Sequence, residues 1–163
     1  LIGATTEYGS LSKPLIDRFQ HKHTLRLYNN IELKEIVSIN SKKLNLTMSE
    51  PALNFVTKVS RGTPRVANAA LEWLRDVQIS EGIESLSESN VEDAMGMRGV
   101  DADGTTEMDR KYLEILKRSD QPLGIDSLSS ISGFDRQTIE GIIEPWLLQN
   151  AKIMKTPKGR VAI

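Results

Sequence analysis

The stretch Arg61-Gly62-Thr63-Pro64-Arg65 decides how the middle of this chain folds. Thr63 followed by Pro64 predicts a helix start, with Thr63 as the N-cap and Pro64 as the first helical residue. Arg65 then lies in the first turn, beside backbone N–H groups that lack an intrahelical acceptor and at the positive end of the helix dipole. This arrangement suits an anionic ligand, most simply a phosphate. The alternative is an arginine that only forms a surface ion pair or lies in solvent.

Composition limits what the rest of the chain can be. The 163 residues are 39% hydrophobic, enough for one moderate core or two small ones, and the net charge of −1 makes any nucleic-acid or membrane contact local. Without cysteine there is no disulfide, thiolate metal site or cysteine nucleophile, which fits a reducing cytosol, and we expect a cytoplasmic protein. The chain has no initiator methionine and no signal-peptide pattern at its start, so we expect a piece of a longer protein.

Helical periodicity predicts a bundle of about four helices over residues 30–97. One helix starts at Asn30, a second is capped by Ser49, the third follows Pro64, and a fourth spans about residues 89–97. The predicted buried face of the third helix consists of Val66, Ala69, Ala70, Trp73, Leu74 and Val77.

The first 28 residues have a different pattern. Residues 1–6 predict a short buried strand, residues 14–19 a short helix, and residues 20–28 a second strand. His21 and His23 share the spacing of a metal pair, but nothing near them completes a ligand set, so solvated strand residues are the better interpretation.

After a predicted linker at residues 98–106, the chain predicts three helices and a β-hairpin, which together make a winged helix-turn-helix. Asp135 is the expected cap of the third helix, and Pro145 is expected to kink or end that helix at Glu144. The hairpin is expected over residues 153–163, with its turn at residues 156–159. The residues predicted to line the helices are Met108, Tyr112, Ile115 and Leu116 in the first, Ile125, Leu128 and Ile131 in the second, and Ile139, Ile142, Ile143 and Trp146 in the third.

The hairpin is also the most basic part of the chain. Residues 152–163 contain no acidic residue and four cations: Lys152, Lys155, Lys158 and Arg160. A basic wing suits contact with phosphate backbones, and Arg136 adds a cation at a helix N-terminus. The third helix carries few residues that read base edges, and Glu140 and Glu144 would repel a backbone if they faced it. We therefore expect backbone binding with little sequence specificity. The alternative is a winged helix that only contacts protein.

The beginning of the chain suggests nucleotide chemistry. A strand that ends in a hydroxyl, Thr6, followed by a turn that projects Arg18, is how oligomeric NTPases orient water and reach a neighbour's γ-phosphate. Taken alone, these residues are weak evidence.

Taken together, the motifs closely resemble the RuvB family of bacterial Holliday-junction branch-migration motors, which are AAA+ ATPases. The resemblance covers essentially the whole chain. It rests on Gly-Ala-Thr-Thr (3–6), Pro-Leu-Ile-Asp-Arg-Phe (14–19), Leu-Tyr (27–28), Arg-Gly-Thr-Pro-Arg (61–65), Met-Asp-Arg-Lys (108–111), Glu-Pro-Trp-Leu-Leu-Gln (144–149) and Thr-Pro-Lys-Gly-Arg-Val-Ala (156–162). It implies a mainly α chain: the end of an AAA+ α/β ATPase domain (1–28), a helical lid bundle (29–100) and a winged-helix DNA-binding domain (105–163).

The resemblance also implies roles for single residues. Thr6 matches sensor 1, Arg18 the arginine finger that acts on a neighbouring subunit, Tyr28 a tyrosine beside the nucleotide, and Arg65 sensor 2. Arg61 has no assigned role, and we expect a structural one. The positions at which the family places DNA-contacting cations are Arg136, Lys155 and Arg160, with Lys158 beside them.

Some residues depart from the family pattern. Glu7 and Ile16 stand where the family has arginines, and Lys155 replaces an arginine, which keeps the charge but loses the planar fork. The chain contains neither a phosphate loop nor an acidic magnesium-binding strand. We therefore expect ATP or ADP with Mg²⁺ to bind the parent protein, and the chain alone to show no ATPase activity.

For the parent, the resemblance implies a homo-hexamer that acts on duplex DNA at Holliday junctions with RuvA and RuvC, and with no membrane role. Two alternatives stay open: a non-catalytic DNA-binding or adaptor module, and a fragment of another AAA+ protein such as a clamp loader. An intact upstream phosphate loop would favour the motor.

Overall fold

The computed structural model describes residues 2–163, and two of its regions have apolar cores of their own. We call residues 30–97 the bundle and residues 105–162 the C-terminal domain. None of the helices within residues 2–163 combines the length and the apolar character that crossing a bilayer requires.

Residues 2–28 contain little regular structure. One 3₁₀ turn (Tyr8–Ser10) precedes helix α1 (Lys13–Ile16), which covers the first part of the helix predicted at residues 14–19.

The two strands predicted in this segment are wrong as far as the chain is described. Residues 2–6 and 20–28 form no strand and their side chains are exposed, while Leu1 lies outside the described residues. A strand requires a neighbouring strand to satisfy its backbone N–H and C=O groups, and nothing within residues 2–163 supplies one here.

The bundle is built from helices α2 (Asn30–Lys43), α3 (Glu50–Val59), α4 (Pro64–Glu81) and α5 (Glu88–Met97). Asn29, Ser49 and Ser87 cap α2, α3 and α5 by accepting hydrogen bonds from first-turn N–H groups. The predicted cap at Ser49 is therefore confirmed. The core side chains are Leu33, Val37, Leu46, Ala52, Phe55, Val56, Val59, Ala67, Ala70, Leu71, Leu74, Val77, Leu86, Val91, Ala94 and Met95.

Helix α4 starts where the sequence predicts, but it buries a different face in its first turns. Ala67 and Leu71 are fully buried, whereas Val66 is 40% exposed and Ala69 is exposed. Several apolar residues follow one another there, so helical spacing allows either of two faces to be the buried one. Helices α2 and α3 contact the face that carries the small Ala67, and this face is buried.

The C-terminal domain contains three helical stretches followed by a hairpin, as predicted. Its elements are α6 (Glu107–Lys117), α7 (Ile125–Ser132), α8 (Arg136–Thr138), a π-helical segment (Ile139–Ile143), α9 (Glu144–Gln149), β1 (Ile153–Thr156) and β2 (Gly159–Ala162). Asp135 caps α8 by accepting from the Thr138 N–H at 2.9 Å. The core side chains are Tyr112, Leu113, Leu116, Ile125, Leu128, Ile139, Ile143, Trp146, Leu147 and Ile153. Three residues predicted to line these helices are instead exposed: Met108, Ile131 and Ile142.

The helical stretch does not end at Glu144, because α9 continues from there to Gln149, and a kink at Pro145 stays a prediction. The Glu144 N–H donates to the carbonyl of Ile139, five residues back, which is the hydrogen bond of a π turn. The wider turn places Pro145 at the beginning of α9, where its missing N–H leaves no gap in the helix.

The hairpin is a two-stranded antiparallel sheet that a third segment extends. Lys155 lies opposite Arg160 across the strands, and the turn consists of Pro157 and Lys158. Leu123 exchanges two backbone hydrogen bonds with Arg160, at 3.0 and 2.8 Å. Gly159 permits this approach, because a Cβ there would lie 2.5 Å from the Leu123 carbonyl oxygen.

The predicted linker forms a packed turn. Val100 bridges to Thr106, and the Gly104 N–H donates to Asp101 at 2.8 Å. Gly104 has a φ of 84°, and a Cβ there would lie 3.3 Å from the Cα of Val59 in the bundle. The turn therefore rests directly on α3.

Candidate functional site

The loop before α4 brings Tyr28 to the predicted anion site. The Tyr28 N–H donates to the Gly62 carbonyl at 3.2 Å, and Gly62 has a φ of 70°. A Cβ at Gly62 would lie 3.1 Å from the Tyr28 carbonyl oxygen and 3.3 Å from the Leu27 Cβ. Glycine is therefore required for this contact, which holds residues 27–28 against the loop.

The first turn of α4 keeps its backbone donors free. The Thr63 hydroxyl donates to the Arg61 carbonyl at 3.3 Å and accepts nothing from the helix, so no side chain caps α4. Pro64 has no N–H, and Arg65 is exposed. Exposed N–H groups, a helix dipole and a free guanidinium together provide positive charge for an anion.

Thr6 and Arg18 form no hydrogen bond or ion pair with this loop. Both are exposed, and neither side chain hydrogen-bonds to any of residues 2–163. The described structure brings Tyr28 to the loop that carries Arg65, but it does not bring Thr6 or Arg18 there.

The basic wing is largely neutralised by carboxylates. Lys152 pairs with Asp103, Lys155 with Glu144, and Arg160 with both Glu140 and Glu144. Within residues 2–163, Lys158 is the wing cation without a carboxylate partner, and it is exposed at the turn. The wing therefore presents less free positive charge than its sequence suggests.

Glu144 is the centre of a buried polar network. Its carboxylate is fully buried and accepts from the Tyr112 hydroxyl (2.7 Å) and the Arg160 Nε (2.7 Å), while the Lys155 Nζ lies 2.6 Å from its second oxygen. Lys155 and Arg160 are cross-strand partners, and two cations facing each other across a sheet repel. Glu144 cancels that repulsion and holds both strands to α9.

The ionisation of these groups follows from their contacts. Burial alone would raise the pKa of Glu144, but hydrogen bonds from Arg160, Lys155 and Tyr112 outweigh it and hold that pKa below its ordinary value. Burial and the hydrogen bond to Glu144 raise the pKa of Tyr112 well above its ordinary value. The hydrogen bond to Glu144 raises the pKa of Arg160. The network is thus an ionised carboxylate among protonated donors.

Arg136 is the second exposed cation near the wing. Its Nε lies 3.2 Å from Glu140 one turn on in the same helical stretch, and 62% of its side chain is exposed. An exposed pair of this kind is weak, so Arg136 can exchange its partner for a phosphate.

Sequence reasoning missed two structural roles here. Glu140 and Glu144 were considered only for the repulsion they would cause if they faced a nucleic-acid backbone, whereas both pair with wing cations. Four cations in the hairpin and two glutamates at helical spacing were the available signal. Tyr112 was predicted as core, but its polar function as a donor to Glu144 was not.

Arg61 joins the loop to the C-terminal domain. Its guanidinium donates to the Gly104 carbonyl, with Nε at 2.8 Å, pairs with Asp109, and lies 4.0 Å from the centroid of the Trp146 ring. The expectation of a structural role agrees with these contacts.

Two family models match the chain, and they follow its two regions. The RuvB AAA lid domain matches residues 28–101, and the RuvB C-terminal winged helix domain matches residues 102–162.

Individual proteins give the same result. The Holliday junction branch migration complex subunit RuvB of Prochlorococcus marinus is 39% identical over 162 residues, which are 98% of this chain and 46% of that relative. A mutant of Thermotoga maritima RuvB aligns with a TM-score of 0.87 and 32% identity, over 99% of this chain and 54% of that one. A structure described as the Thermotoga maritima RuvB Holliday junction branch migration motor aligns with a TM-score of 0.85 and 31% identity, over 95% of this chain and 53% of that one. The chain thus spans about half the length of these relatives.

Proposed function

The chain belongs to the RuvB family, and on that premise we propose that it is the C-terminal part of an ATP-dependent motor that drives branch migration at Holliday junctions. The observation that carries the proposal is the unbroken match to RuvB, which runs through both regions in order and covers 98% of the chain. In this proposal residues 1–28 close the ATPase domain, residues 29–100 are the lid, and residues 105–163 bind DNA.

We assign half of a nucleotide site to the loop before α4. The first turn of α4, with Arg65 exposed and no side-chain cap, fits the phosphates of ATP or ADP, and the backbone of Tyr28 is bound to Gly62 of the same loop. When bound, ATP supplies the phosphoanhydride whose hydrolysis drives movement. Residues 2–163 contain no cluster of His, Asp or Glu suited to a metal ion, so we assign Mg²⁺ to no residue of this chain.

The two remaining assignments need the rest of the parent protein. Thr6 orients the attacking water as sensor 1, and Arg18 reaches the nucleotide of the neighbouring subunit in a hexamer. Exposure of both side chains is consistent with partners outside this chain.

We propose that the wing contacts the DNA backbone through its exposed cations. Lys158 at the turn and Arg136 at the start of α8 supply phosphate contacts, and Lys155 can add one by leaving Glu144. Arg160 acts differently, because its side chain is only 13% exposed and its donors are engaged by glutamates. It supports binding by holding the wing in place.

The proposed partners are duplex DNA at four-way junctions, RuvA, RuvC and further copies of the parent protein. The place of action is the bacterial cytoplasm, where the chromosome lies.

The DNA-binding part can be tested on this chain. Lys158→Glu is expected to weaken binding to a short duplex and to flatten its salt dependence, since phosphate contacts release counterions. Lys43→Glu, at an exposed lysine of α2 in the bundle, is the matched control. Equal affinities for the two variants in a fluorescence anisotropy titration would remove the wing from DNA binding.

The motor function can be tested on the parent protein. Arg18→Ala is expected to abolish ATP hydrolysis and branch migration of a synthetic four-way junction, with ATP binding retained. Arg118→Ala, at an 82% exposed arginine of the C-terminal domain, is expected to keep hydrolysis. Wild-type turnover in Arg18→Ala would exclude it as the arginine finger. The isolated chain is expected to hydrolyse no ATP, and turnover there would contradict the half-site.

A further inference from the structure

Arg61 makes a connection that crosses from the bundle to the C-terminal domain. Its side chain donates to the Gly104 carbonyl through both Nε and a terminal nitrogen, and the same terminal nitrogen donates to Asp109. Its guanidinium carbon stacks over the Trp146 ring. Within the described residues, every side-chain hydrogen bond between residues 30–97 and residues 102–162 comes from Arg61.

The three contacts are with parts of the C-terminal domain that are themselves fixed. Asp109 is 2% exposed at its side chain and also accepts from the N–H and hydroxyl of Thr106, at 2.8 and 2.6 Å, in the capping box of α6. Trp146 belongs to α9 and lies in the apolar core. Gly104 sits in the packed turn against α3. Arg61 is therefore held by the cap of one helix and the core of another.

The backbone at Arg61 is equally constrained. Its φ is 55°, a left-handed conformation that a non-glycine residue keeps only where surrounding contacts hold it, and Gly62 follows with a φ of 70°. Tyr28 hydrogen-bonds to Gly62, and α4 begins two residues after Gly62 at Pro64, with Arg65 in its first turn. The residue that grips the C-terminal domain is thus part of the loop assigned to the nucleotide.

We propose that Arg61 is a positioning residue that makes the loop 61–65 and the C-terminal domain move as one body. When a change of the bound nucleotide moves the loop, the wing then turns by the same rotation, because no hinge lies between the loop and the C-terminal domain. The tie itself rests on the geometry above, whereas its use in transmitting nucleotide state rests on the proposed function.

Chemistry favours arginine for this task. The planar fork reaches the Gly104 carbonyl and Asp109 while its face stacks on Trp146, and a lysine ammonium cannot do all three. Arg61→Lys is therefore expected to behave like Arg61→Gln and not like the wild type.

The tie can be measured on this chain by the distance between two spin labels. The sequence has no cysteine, so Glu72→Cys on α4 and Lys117→Cys on α6, both exposed, place one nitroxide on each region. We expect a single narrow distance distribution, which becomes at least about twofold wider in Arg61→Gln as the two regions reorient over a wider range without the Arg61 contacts. Arg75→Gln, at an arginine paired with Asp76 on α4, is expected to stay narrow. A broad wild-type distribution, or an equally narrow one in Arg61→Gln, would overturn the proposal.

Transmission is measured in the parent protein. The readout is the ratio of duplex-DNA affinity with a non-hydrolysable ATP analogue to that with ADP, which we expect to differ from one by about fivefold or more in the wild type. Arg61→Gln is expected to bring the ratio to about one. Asp109→Asn, at a residue of α6 outside the nucleotide loop, is expected to lower the ratio while DNA-independent ATP hydrolysis is kept. One oxygen of Asp109 accepts from both Thr106 and Arg61, so Asp109→Asn can keep both hydrogen bonds and removes the negative charge that pairs with Arg61.

The outcomes separate the two proposals. An unchanged affinity ratio in Arg61→Gln would overturn transmission through this residue. A wild-type parent that neither hydrolyses ATP nor binds duplex would instead overturn the proposed function, and the spin-label distances would still decide whether Arg61 ties the two regions.

Discussion

The bundle and the C-terminal domain are two helical regions of similar length with different interiors. The bundle core is apolar, and its buried hydroxyls at Ser41, Thr57 and Ser60 each donate to a carbonyl of their own helix. The C-terminal domain closes its core over the ionised Glu144 and the cations of the wing. Apolar packing has no direction, whereas hydrogen-bonded ion pairs fix angles. The region proposed to hold DNA is thus the one whose parts are oriented by charge.

The two regions can be followed separately, because each contains one of the two tryptophans. Trp73 lies in the bundle and donates to the Ala94 carbonyl at 2.9 Å, and Trp146 lies in the C-terminal domain. Trp73→Phe leaves fluorescence from the C-terminal domain alone, and Trp146→Phe leaves that of the bundle.

The largest loss of stability is expected from a substitution that breaks the charged network around Glu144. Arg160→Met removes the main partner of a fully buried carboxylate, so the C-terminal domain is expected to lose about 3 to 5 kcal/mol at neutral pH. Urea unfolding followed by Trp146 measures it. Lys158→Met, two residues away and exposed, is expected to stay within about 0.5 kcal/mol of the wild type. A similar loss in both variants would show that the Glu144 network is not the cause.

The next largest loss of stability is expected from a substitution in the apolar core of the bundle. Leu71→Ala deletes a fully buried side chain of α4 and is expected to cost the bundle about 3 kcal/mol. Trp73 fluorescence reports it, with Ile79→Ala on the same helix, 72% exposed, as the near-neutral control. If Ile79→Ala costs as much, helix propensity and not burial determines bundle stability.

Lowering the pH is expected to destabilise the bundle and the C-terminal domain to different extents, without any mutation. The pKa of Glu144 is lowered in the folded state, so its contribution is complete above the unfolded value of about 4.3 and is lost as the pH falls through the folded-state pKa. The pKa values of Asp103 and Asp135 are lowered too. In the bundle, the pKa of Glu32 is lowered to about 2, but that side chain is exposed and its pairing is screened.

Between pH 6 and pH 3 we therefore expect the C-terminal domain to lose roughly 1 to 2 kcal/mol more than the bundle. Glu144→Gln should show a flatter pH dependence than the wild type. Acid unfolding that begins at Trp73 would contradict this order.

The smallest effect on stability is expected from a substitution that changes DNA binding but not folding. Arg136→Ala breaks only an exposed pair with Glu140 and is expected to change stability by less than about 0.5 kcal/mol. If Arg136 contacts a phosphate, the slope of log affinity against log salt for duplex binding falls by about one. An unchanged slope would exclude that contact.

Local sequence rules predicted the elements whose causes are local. The caps at Ser49 and Asp135, the start of α4 at Pro64 and the turn before Gly159 each depend on a few neighbouring residues. The strands predicted in residues 1–28 are wrong because a strand forms only where a neighbouring strand satisfies its backbone hydrogen bonds.

The parts of the candidate site that were missed depend on contacts across long stretches of sequence. Tyr112 and Glu144 meet across 32 positions, and Arg61 and Asp109 across 48. Periodicity marks which face of a helix is buried, but not which buried carboxylate will receive a cation from a distant hairpin. The nucleotide roles of Thr6, Arg18, Tyr28 and Arg65 stay predictions.

The backbone bridge between Leu123 and Arg160 has a mechanical consequence. A hairpin held only by its own strands is marginal and peels open one hydrogen bond at a time under load. Here a pull at Lys158 acts on Arg160, which is bonded through its backbone to Leu123 and through its side chain to Glu144. The load must break these links together, so the wing can transmit tension from its tip into the body of the domain and keep its shape.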